Sequence, residues 1–421
     1  MRTHAQPFQG SDRQAEEIRA RIRQNRMGKM RVAVKTPEGA PLADTRVVVG
    51  QVRHQFLFGC NLFGLGRQAD ARQEAAYRRR FSALLNFATV PFYWSGYEPE
   101  EGITQAGRLA ELADWSAEHG LTVKGHPLCY HMTVPEWAKA LPLEEFRRRQ
   151  FDRITREVSD FAGRIDVWDV INEAVYTPGH EEGRHPLARV CRRLGRTRLV
   201  RTVFDLAHQA NPDATLLIND CDPSPAYARV VRDSLAAGAP IDVVGIQSHM
   251  HKGYWSAEKT WRVCETFARF GRPLHFSELT ILSGIIQPDH SWSRTRDDWF
   301  STPAGEAQQA RQVEETYRLL FSHPAVRGIT WWDFSDHGAW LGAPAGLLRK
   351  DMSPKPAYDA LLRLIKGEWW SGEQSLRTDA RGRVDVEGFL GDYRMTTACG
   401  TGAFALARAG SSSGLVRLAR R

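Results

Sequence analysis

The sequence predicts an α/β protein: a closed (β/α)8 barrel, the TIM-barrel architecture, with a small accessory β-sandwich-like domain formed from the N- and C-terminal segments. Three observations point there. Short apolar runs rich in β-branched and aromatic residues recur eight times along the middle of the chain, stretches with helical spacing separate them, and both ends instead alternate apolar with polar residues. A chain of 421 residues, 42% hydrophobic and 25% charged, is long enough for one large domain plus a small one.

Residues 1–28 are polar and Arg-rich and read as a helical segment outside the core. "KMRVAVKTPEGAPLADTRVVVGQV" (29–52) alternates around a Pro/Gly turn, and "SLRTDARGRVDVEGFLGDYRMTTA" (375–398) repeats the style, so both read as antiparallel strands. The accessory domain is therefore assigned to 29–53 plus 370–399, as one sandwich or as two separate hairpins, and the barrel to 54–369. Residues 400–421, ending "GSSSGLVRLARR", carry no core pattern and are expected to be disordered.

The eight barrel strands are placed at 54–62, 85–92, 121–130, 165–173, 215–221, 242–250, 273–281 and 328–336. Between the third and fourth, Phe146, Phe151, Ile154, Val158 and Phe161 fall at helical spacing behind Pro142; between the seventh and eighth, Ala310, Val313, Tyr317 and Leu320 do so. Strands apolar on both faces, alternating with amphipathic helices, require a parallel sheet covered by helices. Eight such units close into a barrel. A doubly wound open sheet is disfavoured, because "GCNLFGLG" does not match the glycine-rich dinucleotide-binding turn.

Lys and Arg number 57 against 49 Asp and Glu, a net charge of +8, but they are spread along the chain, which disfavours nucleic acid as a partner. No apolar run is long enough for a signal peptide or a membrane span, so the chain as written reads as cytoplasmic, or as secreted if a signal has been removed. The six cysteines lie far apart without a C-x-x-C, and Cys60, Cys129 and Cys221 follow apolar runs as small buried hydrophobes. Nothing in the pattern fixes an oligomeric state.

In a barrel of this kind the reacting groups sit at the C-terminal strand ends. Those ends are strongly polar here: His126 and His131, Asn172 and Glu173, Asn219 and Asp220, Gln247 and His249, Glu278, then Trp332, Asp333 and Asp336. Six such ends converging on one mouth form a site. Glu173 and Glu278 come from strands on opposite sides, and paired carboxylates flanking a cavity suit glycosidic-bond cleavage, one protonating the leaving oxygen while the other attacks the anomeric carbon. An apolar support for Glu173 would raise its pKa and keep it protonated as a general acid, with Asn172 beside it to bind a sugar 2-hydroxyl.

"GHPLCYH" (125–131), "WDVINEA" (168–174), "GIQSH" (245–249), "HFSEL" (275–279) and "GITWWDFSDHGAW" (328–340) together resemble the ordered motifs of glycoside hydrolase family 10, the endo-β-1,4-xylanase family of retaining (β/α)8 enzymes. The likeness runs from about Phe56 to Ile365. It implies Glu173 as acid/base, Glu278 as nucleophile and His249 as the partner orienting the nucleophile. It further implies that Asn172, His126, Gln247, Trp332 and Trp340 contact sugar, that Trp94, Tyr130 and His131 belong to the substrate-binding set, that no cofactor is needed, and that the two carboxyl groups lie ~5 to 5.5 Å apart.

The resemblance breaks before "EPEEG" (98–102). There the family carries a Glu-Asn pair and then Lys-Trp, groups that hold sugar on the non-reducing side; this chain has Thr89, Val90, Tyr93 and Trp94. Tyr130 also stands where the family usually has Trp. Each lost hydrogen bond is worth ~0.5 to 1.5 kcal/mol, so weaker xylan binding or a preference for another β-glycoside, including aryl glycosides, follows.

Competing readings attach to the same residues. His249-Met-His251 with Asp333 or Asp336 has the spacing of an amidohydrolase-type metal site, although that pattern normally opens the first strand, and His251 is expected on the surface. A non-catalytic carbohydrate-binding protein would keep the aromatic groups without the glutamates. Trp331 is expected to pack against helices and Trp332 to face sugar. The long segment 283–306 either shapes the cleft or is a structural insertion.

Overall fold

The computed structural model describes residues 12–287 and 291–420. The chain divides into two compact units, one of Phe58–Gln312 with Ala325–Pro356 and the other made of the remaining segments. A helix, Asp12–Arg26, leads into strands β1 (Met27–Lys35) and β2 (Arg46–His54). The barrel strands follow: β3 (Leu57–Asn61), β4 (Phe87–Pro91), β5 (Thr122–His126), β6 (Val167–Asn172), β7 (Thr215–Asp220), β8 (Val243–Ile246), β9 (Leu274–Leu279) and β10 (Val326–Trp331). They close in the order β10-β3-β4-β5-β6-β7-β8-β9, all parallel. The eight-stranded barrel read from the sequence is the one found.

β6 and β9 are buried at every position, which is why they read as unbroken apolar runs with a polar end. Close packing fixes one glycine. A Cβ on Gly125 would lie 2.1 Å from the Trp168 ring, its register partner across β5 and β6, and Trp168 in turn meets Phe92 edge-on. Behind this wall the helix Leu143–Asp160 buries Phe146, Ile154 and Val158. Its buried Arg153 donates to the carbonyls of Phe92, Pro127 and Leu128, satisfying backbone at the strand ends below the mouth.

In the other unit, β11 (Gln374–Arg377), β12 (Arg383–Phe389), β13 (Gly391–Thr397), β14 (Gly400–Leu406) and β15 (Gly410–Arg417) complete two sheets, β12-β1-β15 and β11-β2-β13-β14. Val32, Val34, Val47, Val49, Tyr393 and Met395 share one core between them. Of the expected 1–28 segment, 1–11 lie outside the described residues.

Two expectations are corrected. Residues 400–417, expected to be disordered, form β14 and β15, with β15 running parallel to β1. The Gly/Ser composition that suggested disorder instead permits close approach: a Cβ on Gly402 would lie 2.4 Å from Val416 and one on Gly414 would lie 2.9 Å from Met30 Sδ. Leu406, Val416 and Leu418 point inward and Phe404 packs against the same core, too sparse a pattern to read as strand. Residues 313–324 and 357–369, expected with the barrel, belong to the terminal unit. There Phe321 stacks on Trp369 with ring centroids 4.2 Å apart, Phe56 meets Phe321 edge-on, and buried Arg26 donates to the Phe321 and His323 carbonyls. Among the described residues no helix is long and apolar enough to cross a membrane.

Candidate active site

The C-terminal strand ends surround a cavity of about 600 Å³, and both Glu173 and Glu278 line it. Glu173 follows directly after β6 with φ of 55°, a left-handed backbone that a non-glycine residue keeps only where its surroundings over-determine it. They do so here. The Glu173 N–H donates to the Asn219 carbonyl at 2.8 Å, and its own carbonyl accepts the N–H groups of Tyr176 and Thr177 and the Thr177 hydroxyl. An apolar strand thus ends in a polar pair because the chain turns into the cavity at that point.

A chain of amides joins the two carboxyl groups. Gln247 Nε2 donates to Glu173 Oε1 and to Asn172 Oδ1, each at 3.2 Å; Asn219 Nδ2 donates to Asn172 Oδ1 at 2.8 Å and to Glu278 Oε1 at 2.7 Å. Ser277 fixes the orientation of Asn219 by donating to its Oδ1 at 2.5 Å. With Asn172 Oδ1 doubly occupied, the Nδ2 of that amide is the group left for a ligand. Tyr130 donates its hydroxyl to Glu173 Oε1 at 2.9 Å, and His249 Nε2 lies 3.0 Å from Glu278 Oε2 with its Nδ1 3.0 Å from Thr280 Oγ1.

These surroundings push the two carboxyl groups apart. Burial raises the pKa of Glu173 and the negative charge of Glu278 raises it further, outweighing the hydrogen bonds from Gln247 and Tyr130. Burial would raise Glu278 too, but His126, His249 and Lys124 overcome it and hold that carboxyl below its ordinary value. Glu278 is thus the member that ionises first and Glu173 the one that keeps its proton to higher pH. An ionised Glu278 accepts from His249 Nε2–H, which fixes a proton on that nitrogen. Deeper in the barrel, Asp169 accepts from Lys124 at 2.5 Å and from His126 Nδ1 at 2.7 Å, which aims His126 Nε2 at Glu278 Oε1, 3.9 Å away.

His126, Tyr130, Asn172, Gln247, His249, Trp332 and Trp340 line the same cavity as the glutamates. Trp331 turns the other way, its Nε1 donating to the Ala345 carbonyl at 3.0 Å. Three placements differ from expectation. Trp94 does not reach the cavity: the short helix Trp94–Tyr97 turns it into the wall, where Nε1 donates to Glu98 at 3.1 Å and the ring meets Trp137 and Phe146, while adjacent Tyr93 faces inward. His131 is buried with Nδ1 3.1 Å from Thr177 Oγ1, the hydroxyl that holds the Glu173 carbonyl, so it supports the turn instead of lining the cavity. His251 is fully buried against Trp292, Trp299 and Trp340, not on the surface.

The segment 283–306 does both of the things weighed for it, leaving aside 288–290, which lie outside the described residues. Trp299 anchors it in a core with Leu282, Ala343 and Ala345, and Trp292 lines the cavity, stacked on Trp340 at 5.7 Å. Sequence reasoning gave no role to Asn219, although it stood among the polar strand ends, and it missed Phe63, Met132 and Trp292. Phe63 sits just past β3 in a segment whose glycines drew attention to turn chemistry.

Among the described residues the His-x-His pair belongs to no group that brings three possible ligand atoms together, and His249 faces Glu278 and Thr280. Among the described residues the group that brings three possible ligand atoms together is His180, Glu181 and His185, none of which lines the cavity. There His185 Nδ1 accepts the Leu187 N–H, which puts the imidazole proton on Nε2, the nitrogen a metal would need.

The model of Glycosyl hydrolase family 10 matches residues 58–364. "Endo-1,4-beta-xylanase A" of Xylanibacter ruminicola is 27% identical over 301 residues, 64% of this chain and 80% of that protein. An "Endo-1,4-beta-xylanase/feruloyl esterase" of the same species is 24% identical over 302 residues, 65% of this chain but only 40% of that protein. The native xylanase 10B structure from Thermotoga maritima superposes with a TM-score of 0.62 at 22% identity, covering 75% of this chain and 96% of that one, which shows a common fold.

Proposed function

Because the chain belongs to glycosyl hydrolase family 10, whose model spans most of its length, we propose that this glycoside hydrolase cleaves β-1,4-xylosidic bonds of xylan or xylo-oligosaccharides by double displacement. The observation that carries the reading is the pair Glu173 and Glu278, held in one cavity by a shared amide chain with their pKa values pushed in opposite directions.

A Glu278 oxygen attacks the anomeric carbon as the bond to the leaving oxygen breaks, and that oxygen takes the proton of Glu173. The glycosyl-enzyme ester so formed is inverted. Glu173, now a carboxylate, removes a proton from water, which attacks the same carbon and returns Glu278 as the leaving carboxylate. Asn172 Nδ2 donates to the 2-hydroxyl, and His126 and Trp332 close over the same sugar, with ring centroids 5.3 Å apart. Two displacements give net retention. Proton NMR at early times on xylotriose should therefore show the β-anomer first, with the α-anomer growing only by mutarotation. First appearance of the α-anomer would overturn the double displacement.

The charges set the pH profile. Activity needs Glu278 ionised and Glu173 protonated, so kcat/KM rises as pH passes the depressed Glu278 pKa and falls as it passes the raised Glu173 pKa. Tyr130 opposes that rise by donating to Glu173. Tyr130→Phe is expected to shift the alkaline limb to higher pH and leave the acid limb in place. A shift of the acid limb instead would mean that Tyr130 acts on the other carboxyl group.

A further inference from the structure

We propose that Asp333 is the glycone anchor of this enzyme: its Oδ2 accepts a hydrogen bond from a ring hydroxyl of the sugar bound on the non-reducing side of the cleavage point. The inference rests on the xylosidic reading above and extends it to a residue to which that reading gives no role.

Position comes first. In the closed barrel β10 neighbours β9, which carries Glu278, and stands four strands from β6, which leads into Glu173. The leaving group must lie on the side of its proton donor. The retained sugar therefore extends toward the ends of β10, β3 and β4, and Asp333 lies just past β10 among the residues lining that part of the cavity.

The side chain is incomplete without a ligand. Asp333 is only 6% exposed; its Oδ1 accepts the Trp340 N–H at 3.1 Å, while its Oδ2 is buried with no protein partner. The nearby cation is committed elsewhere, since Lys355 pairs with Asp336 at 2.7 Å and donates to Ser283. A buried carboxylate oxygen without a donor is rare in a folded protein and marks either strain or a missing partner. Burial pushes this carboxyl up to about 7 against the pull of the Trp340 N–H, so Oδ2 is fully an acceptor only above that pH.

The rest of the glycone end explains why one such residue is needed. Thr89 and Val90 are fully buried in β4 and do not line the cavity. Tyr93 offers its ring, edge-on to Phe63 at 5.9 Å and to His126 at 5.3 Å, and Phe63 meets Trp332 edge-on at 5.5 Å. Three aromatic rings thus wall a space where the family places polar groups. A sugar there can pack its carbon faces, but its hydroxyls need acceptors, and Asp333 supplies one from β10 in place of the groups missing from β4.

The test is a chemical double-mutant cycle. The native chain and Asp333→Asn are compared on 4-nitrophenyl β-xyloside and on its 3-deoxy and 4-deoxy analogues. Asparagine keeps Oδ1 for the Trp340 N–H and turns Oδ2 into a donor. The native chain should lose about 10- to 100-fold in kcat/KM on one deoxy analogue. Asp333→Asn should lose a similar factor on the parent xyloside and little more on that analogue. Asp333→Ala should repeat the pattern, and matching thermal unfolding curves show that the fold is kept. Losses that multiply for both analogues in both variants would mean a structural role and overturn the proposal, as would a native chain indifferent to both hydroxyls. A native chain that turns over neither the parent xyloside nor xylan would remove the underlying xylosidic reading, an outcome distinct from either.

Discussion

Glu278→Ala is expected to lower kcat on 2,4-dinitrophenyl β-xyloside by on the order of 10⁵-fold, because no other carboxylate among the described residues is placed to form the glycosyl ester. A leaving group this good departs without a proton, so the loss reports attack alone. The substitution opens a carboxylate-sized space in front of Asn219, His126 and His249, all of which face Glu278 in the native chain. Azide fits such a space. Added azide should restore turnover by direct displacement: its nitrogen bonds to the anomeric carbon as dinitrophenolate leaves, and the product is the α-xylosyl azide, of inverted configuration. Glu173 also loses the negative neighbour that helps raise its pKa, so its titration should move down. Near-native turnover in Glu278→Ala, or a β-azide, would remove this residue from the nucleophile's place.

Much of this machinery is legible in the sequence because of where it sits. Glu173 and Glu278 close buried apolar strands, and a charged residue at that point breaks the pattern visibly. Chain order then supplies the barrel, since each strand pairs with its neighbour in sequence and β10 closes on β3. What sequence pattern does not carry is rotation about a short turn. Tyr93 and Trp94 are adjacent, yet one faces the cavity and the other the wall, because four helical residues intervene before Glu98 fixes the Trp94 indole. His131 failed in a similar way: its motif position is right, but a hydrogen bond to Thr177 takes its ring behind the turn. β14 and β15 are hard to read because they pair with β13 and β1 through segments rich in glycine and serine, which leave little periodic trace. Trp292 was hidden for another reason, since a loop residue reaches a site through tertiary contacts, here its stack on Trp340.

Glu173→Ala should separate the two displacements that the reaction contains. On 2,4-dinitrophenyl β-xyloside the first step needs no acid, so formation of the glycosyl-enzyme should proceed at close to the native rate. The second step loses its general base, and kcat should fall by ~10²- to 10⁴-fold. KM should fall with it, because the intermediate accumulates. On xylotriose, whose leaving alkoxide must be protonated, the first step should fail as well, so the loss in kcat/KM should be far larger there than on the dinitrophenyl glycoside. Azide again discriminates. It needs no base and attacks the glycosyl-enzyme from the face Glu173 occupied, so turnover should recover with the β-xylosyl azide as product, opposite in configuration to that from Glu278→Ala. The alkaline limb of the native profile belongs to the raised Glu173 carboxyl and should vanish in the variant, while the acid limb, set by Glu278, remains. Equal losses on the two substrates would show that Glu173 does not protonate the leaving group. The acid would then have to be sought elsewhere; buried Asp220, pushed up to about 8, accepts the Val175 N–H beside Glu173 but does not line the cavity.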